Sequence, residues 1–212
     1  MATSEHGREE SRPDGWTRRD LLRGAGVAAA TTAVLGPASV ALGADAPGGV
    51  RTQGPGAFEI VLKVNGQERK VSVEPRHTLL EALRLPLDLT AAKSACDRAA
   101  CGACTVLIDG LPTYACAVLA VDAEGHEVVT AEGIAAGDGL PLVESFVAKD
   151  AMQCGYCTPG MLVSCHAAVT AHGRELTEAQ AREATSGNLC RCGTYPHVLA
   201  AALGAATSAK GR

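Results

Sequence analysis

Eight of the nine cysteines in this 212-residue chain fall into two sets of four, and no other feature limits its fold so strongly. The first set is Cys96-x4-Cys101-x2-Cys104, with Cys116 following after eleven further residues. The second is Cys154-x2-Cys157 joined by Cys190-x-Cys192. The first pattern is the plant-type spacing for a [2Fe–2S] cluster: three thiolates on one loop wrap two irons, and the fourth arrives from a neighbouring strand. Gly102 and Ala103 keep that loop small, so backbone N–H groups can approach the sulfurs. Such hydrogen bonds stabilise the reduced, more negative cluster and raise its potential. In the second set each Cys pair sits at the end of a predicted helix, and two such ends facing one another can supply four ligands to one centre.

Other chemistries also use sets of four cysteines. Zinc sites usually place two to four residues between paired ligands. The one-residue gap at Cys190/Cys192 is tight for zinc and the x4-x2 triplet is unusual for it, yet spacing alone leaves zinc open, more so for the second set. Disulfides suit an exported protein, but eight thiols in two compact groups favour metal, and an odd total leaves one thiol outside any internal pairing. A Rieske centre needs paired histidines. His6, His77, His126, His166, His172 and His197 do not alternate with the cysteines and are assigned to solvent or packing. Cys165 lies on a predicted helix and reads as a buried packing residue.

Composition supports a need for metal. Although 47% of residues are apolar, many are Ala, and the aromatics number only one Trp, three Tyr and two Phe. Two small domains with so few large core anchors need staples or metals. The formal charge of −4 gives no electrostatic case for nucleic acid.

Residues 1–46 read as an export signal and 47–56 as a Gly/Pro-rich linker. Arg18-Arg19 precedes Leu21-Leu22 and a run from Gly24 to Gly43 without a charge, which resembles a twin-arginine signal and predicts a periplasmic protein. That run is mostly Ala, Gly and Thr and contains Pro37, so it is expected to form no stable membrane span.

Two domains are expected beyond it, an α+β organisation. Residues 57–132 read as a small sheet with one helix. Phe58–Val64 is a β-branched run, Asn65-Gly66 a hairpin turn, and Val71–Val73 its return. Thr78-x-x-Glu81 opens a short helix ended by Pro86. Further strands are expected at Thr105–Asp109, near Tyr114–Ala120 and at Val128–Thr130. Residues 138–206 read as a bundle of about four helices. These begin at Leu140, at Thr158-Pro159 with the Thr158 hydroxyl as cap, at Thr177-x-x-Gln180, and at Pro196.

Three strings then resemble one family in order: Cys101-Gly102-Ala103-Cys104-Thr105-Val106 with Asp109-Gly110 and Cys116; Gln153-Cys154-Gly155-Tyr156-Cys157-Thr158-Pro159-Gly160; and Ser186-Gly187-Asn188-Leu189-Cys190-Arg191-Cys192-Gly193. They are similar to the iron–sulfur subunit of the xanthine dehydrogenase/aldehyde oxidoreductase (molybdenum hydroxylase) family, and the leader resembles that of its periplasmic aldehyde oxidoreductase branch. The resemblance implies an N-terminal β-grasp ferredoxin-like domain, then an all-α four-helix-bundle domain, each with one [2Fe–2S] cluster. It implies a separate large catalytic subunit carrying molybdopterin and the substrate site. Gln153 matches the family Gln that hydrogen-bonds the pterin, and Cys192 the ligand closest to it. Where family members usually carry Gly, this chain has Ala91, Ala95 and Ala99; at a position with φ > 0, Ala costs stability or forces another loop path. After Cys192 it reads Gly193-Thr194-Tyr195, where Thr-Gly-Tyr is commoner.

The implied function is electron transfer within an oxidoreductase complex. Electrons pass from the partner's pterin to the centre at Cys154, Cys157, Cys190 and Cys192. They continue to the centre at Cys96, Cys101, Cys104 and Cys116, then to an FAD subunit or cytochrome c. The expected substrate of the complex is an aldehyde. The alternatives are an N-heterocycle of the isoquinoline or nicotinate type, or a free-standing ferredoxin-like carrier. The chain has no general base or nucleophile of its own, and Gly24-x-Gly26 lies inside the leader rather than after a strand, so it is no dinucleotide fingerprint.

Overall fold

The computed structural model describes residues 54–208. The expected export segment and most of the linker lie outside the described residues. Strand β1 (Phe58–Val64) and strand β2 (Gln67–Val73) pair antiparallel from Phe58↔Val73 to Val64↔Gln67. Asn65 at φ 52° and Gly66 at φ 75° form the turn between them, the left-handed pair that a two-residue hairpin requires. Alternation sends Ile60, Leu62, Val64, Val71 and Val73 into the core and leaves Glu59 and Ser72 outside. Helix α1 (Leu79–Arg84) starts with the expected capping box: the Glu81 N–H donates to Thr78 Oγ1 (3.2 Å) and the Thr78 N–H to Glu81 Oε2 (2.8 Å).

Strands β3 (Thr105–Ile108), β4 (Leu111–Tyr114) and β5 (Glu127–Val129) complete a sheet of order β2-β1-β5-β3-β4. Only β1 and β5 run parallel. The strand expected near Tyr114–Ala120 lies earlier, at Leu111–Tyr114, because β4 is an edge strand and an edge accepts Pro112. Beyond Tyr114 the chain leaves the sheet through two 3₁₀ turns, Ala115–Ala117 and Ala120–Ala123, and the first turn carries Cys116 into the core.

Five helices follow: α2 (Ala131–Ala136), α3 (Leu140–Ala148), α4 (Thr158–His172), α5 (Glu178–Thr185) and α6 (Tyr195–Ser208). Two differ from the sequence reading. Helix α2 is short and contains Gly133, so its pattern is too brief to announce a helix, yet Ala131 and Ile134 pack into the helical core. Helix α4 takes Cys157 rather than Thr158 as its N-cap, with no side-chain capping bond, because Thr158 already lies in the first turn beside Pro159. The Thr177/Gln180 box at α5 is present on both sides.

There are two apolar cores, and β3 serves both. Val106 faces the sheet core with Leu62, Leu79 and Val128, while the next residue, Leu107, faces the helical core with Phe146, Met161 and Val198. Because successive strand side chains point to opposite faces, one strand joins the two layers. Among the described residues no helix is long and apolar enough to cross a membrane.

Candidate metal centres

The first cysteine set lies on the loop between α1 and β3, closed by the turn after β4. Its thiols neighbour one another in two pairs, Cys96 with Cys101 and Cys104 with Cys116. Cys104 and Cys116 are buried in the sheet core, whereas Cys96 and Cys101 are half-buried. Backbone donors reach a sulfur of each pair. The Ala100 N–H donates to Cys96 Sγ (3.4 Å) and the Ala99 N–H to Cys116 Sγ (3.3 Å). The N–H of Arg98, then that of Ala100, and the Cys101 thiol lower the Cys96 thiol to about 7. Burial instead pushes Cys104 up to about 12. Of Ala91, Ala95 and Ala99, Ala99 is the one with positive φ, at 54°.

The second set repeats this plan in the helical half. Cys157 pairs with Cys190, packed against the helical core, and Cys154 pairs with Cys192 at the surface. Burial, followed by the Cys190 neighbour, pushes Cys157 up to about 12. At Cys190 burial acts in the same upward sense, but the Thr194 hydroxyl and N–H, the Cys157 thiol and the Gly193 N–H outweigh it and hold the thiol at about 7. Tyr195 fixes the backbone here: its hydroxyl accepts from the Cys190 N–H (2.8 Å) and donates to the Asn188 carbonyl (3.1 Å). Gln153 is exposed next to Cys154.

The two cysteine loops touch. The Leu189 N–H donates to the Cys101 carbonyl (2.9 Å), and Tyr156, between Cys154 and Cys157, donates its hydroxyl proton to the Ser94 carbonyl. Buried Asn188 donates to the Gly102 carbonyl (2.9 Å) and Thr105 Oγ1 (3.2 Å) and accepts from Ser164 Oγ (2.8 Å). Gly102 has φ 68°, and a Cβ there would lie 2.5 Å from the Gly187 carbonyl oxygen and 2.6 Å from Asn188 Nδ2. A Cβ on Gly160, in the first turn of α4, would overlap the Gly102 carbonyl oxygen. Sequence reasoning names Asn188, Thr194, Tyr195 and Tyr156 within its motifs but gives them no role. Asn beside Gly reads first as a turn residue, and contacts spanning 86 residues have no local signature.

All nine cysteines carry free thiols, and Cys165, fully buried in the helical core and raised to about 12 by that burial, stands apart from both sets. Among the described residues no three His, Cys, Asp or Glu side chains converge closely enough for one metal ion. In each half two pairs of thiols, with N–H donors on Cys96 and Cys116 in one and on Cys190 in the other, match a two-iron cluster, where each iron takes two thiolates and the sulfurs accept hydrogen bonds. The residues present therefore fit a [2Fe–2S] group in each half.

Comparison with known proteins agrees. Residues 62–130 match the family described as a 2Fe-2S iron-sulfur cluster binding domain, and residues 130–203 the family described as a [2Fe-2S] binding domain. The chain is 40% identical over 210 residues to the aldehyde oxidoreductase iron-sulfur-binding subunit of Escherichia coli strain K12, covering 92% of this chain and 90% of that one. It is 41% identical over 147 residues to the nicotine 6-hydroxylase small subunit of Paenarthrobacter nicotinovorans, covering 69% of this chain and 88% of that one. The solved quinoline 2-oxidoreductase of Pseudomonas putida 86 contains a chain with TM-score 0.67 and 39% identity, covering 72% of this chain and 95% of that one.

Proposed function

Because this chain belongs to the iron–sulfur subunits of the aldehyde oxidoreductases and related molybdenum hydroxylases, we propose that its exposed Cys154/Cys192 end docks against a large molybdopterin subunit and that the complex oxidises an aldehyde. The chain itself is an electron-transfer subunit. When bound, each [2Fe–2S] cluster supplies a one-electron relay between the partner's two-electron chemistry and an external acceptor. We assign Cys96, Cys101, Cys104 and Cys116 to one cluster and Cys154, Cys157, Cys190 and Cys192 to the other. The observation that carries the reading is the pairing of those thiols on two loops in direct contact through Leu189 and Cys101.

The residues divide the work. Cys104, Cys116, Cys157 and Cys190 anchor each centre to a core, which keeps water from one side of it and ties metal binding to folding. Asn188, Gly102 and Gly160 hold the loops at contact distance. Met152, Tyr156 and Leu189 are exposed apolar side chains around Cys154 and Cys192 and suit a covered face. Gln153, in that same exposed stretch, is assigned to the pterin edge. The outer centre, at Cys96 and Cys101, passes electrons to an FAD subunit or a cytochrome c. An aldehyde is favoured over an N-heterocycle because the Escherichia coli alignment covers 92% of the chain and so reaches into the N-terminal segment, whereas the nicotine hydroxylase alignment covers 69%. Arg18-Arg19 before Leu21-Leu22 and the uncharged run is the feature from which we assign export to the periplasm by the twin-arginine route.

The test is purification of the tagged chain from its native host. It should emerge with a molybdenum-containing large subunit, and adding an aldehyde without oxygen should bleach the iron–sulfur absorbance. Emergence alone, with clusters intact, would make it a free carrier; bleaching by N-heterocycles but not aldehydes would reassign the substrate. Changing Arg18-Arg19 to Lys-Lys should keep the complex in the cytoplasm, and unchanged export would remove the twin-arginine reading.

A further inference from the structure

We infer that the Thr194 hydroxyl is a redox-tuning group of this chain, a side-chain donor to Cys190 Sγ that raises the reduction potential of the helical-domain centre selectively. The inference rests on Cys190 being a ligand. Thr194 Oγ1 lies 3.3 Å from Cys190 Sγ, and the Thr194 N–H reaches the same sulfur at 3.5 Å. An iron-bound thiolate carries no proton, so the hydroxyl must be the donor. Thr194 is only 2% exposed, which removes water as a competing partner. Its carbonyl is already committed to the N–H groups of His197 and Val198 at the start of α6 (3.1 and 3.0 Å), and the hydroxyl is left for the sulfur.

The contact follows from residue order. Thr194 has the backbone position that places an N–H on the sulfur, and Thr there adds a hydroxyl on the same side. A Gly at 194 would leave only the N–H. Across the interface, the first centre's sulfurs take backbone donors: Ala99 N–H on Cys116 and Ala100 N–H on Cys96. Hydrogen bonds to cluster sulfurs stabilise the form with one added electron, so an extra donor on one centre moves that centre's potential up relative to the other. An electron arriving from the partner subunit is therefore held better at the helical-domain centre than the ligand set alone would give.

The experiment is an EPR-monitored redox titration of the intact complex, reading each [2Fe–2S] signal separately, with iron content measured on the same samples. Thr194→Val keeps the shape and the backbone N–H and removes only the O–H. It should retain both signals and lower the helical-domain midpoint, changing how one electron divides between the centres by up to about tenfold, equivalent to ~59 mV. The other signal should not move. Thr194→Ser should restore the wild-type value, and Thr194→Ala, which places less bulk beside the sulfur, should repeat the Val result if Val fails to assemble. Full iron with an unmoved midpoint in Val or Ala, or a Ser variant shifted as far as Val, overturns the inference while leaving the ligand assignment standing. Loss of one signal on replacing Thr194, with Ser unable to recover it, would make the residue structural and equally overturn it. A wild-type protein without iron would instead overturn the ligand assignment.

Discussion

The two cysteine loops solve one problem with different backbones. Both place an inner pair of thiols against a core and an outer pair toward the surface. The first loop makes its turns with non-glycine residues in the left-handed region, Asp97 at φ 50° and Ala99 at φ 54°, besides Gly102. Beside its cysteines the second uses Gly155 and Gly193, at φ 80° and 82°, where the conformation is free of strain, and its one left-handed non-glycine, Asp150 at φ 51°, lies back at the end of α3. Left-handed Ala costs about 1–2 kcal/mol, so the first loop is held in place by what surrounds it. Its N–H groups reach sulfurs, its Cys104 and Cys116 belong to the sheet core, and its Gly102 is clamped by Asn188. The second loop is left open at Cys154 and Cys192, as a face awaiting a partner would be. The first loop is held on all sides by this chain, and the second is the one the proposed partner would cover.

The largest effect should come from removing an inner ligand. Cys104→Ser puts a hydroxyl in the sheet core and deprives the first cluster of a buried thiolate. It should lose half the iron and lower the unfolding temperature of the sheet half, measured by calorimetry and iron analysis. Cys154→Ser, at the surface, should lose the other half of the iron and leave the calorimetric transition of the sheet half in place. Equal damage to the sheet half from both would break the contrast.

Next is Gly160→Ala, which drives a methyl into the Gly102 carbonyl. Because that neighbour is backbone, relief requires moving a whole loop, at about 3 kcal/mol or more, the upper range for overpacking. Denaturant midpoints of the apo and loaded protein would measure it. Asn188→Ala should cost about 1–2 kcal/mol: it takes the acceptor from the buried Ser164 hydroxyl and one donor from the Gly102 carbonyl, which keeps the Thr105 hydroxyl and N–H. The smallest effect is a gain. Ala99→Gly should stabilise the protein by about 1 kcal/mol, left-handed strain relief outweighing the added entropy of the unfolded chain. A loss on Ala99→Gly would mean that the first loop is not strained, and the comparison would fall.

Much of this was legible in the sequence because it is local. The cysteine spacings, the Asn65-Gly66 hairpin, the Thr78/Glu81 and Thr177/Gln180 boxes and the edges of α3 each rest on residues within a few positions of one another. What was not legible depends on distant partners. That β3 alternates between two cores needs both layers present, and so does the Asn188–Gly102 clamp. The Ala-rich stretch after Tyr114 has too little pattern to distinguish a strand from a 3₁₀ turn, and the fourth cysteine of the first set lies on that turn rather than on a strand. Of Ala91, Ala95 and Ala99, only the backbone angles single out Ala99.

The central claim is that eight thiolates hold two different one-electron centres. Metal analysis with low-temperature EPR of the dithionite-reduced chain in its native complex tests it most directly. Two [2Fe–2S] clusters require four iron atoms per chain and two distinguishable signals. Zinc in place of iron, or a single signal from two irons, would contradict the account.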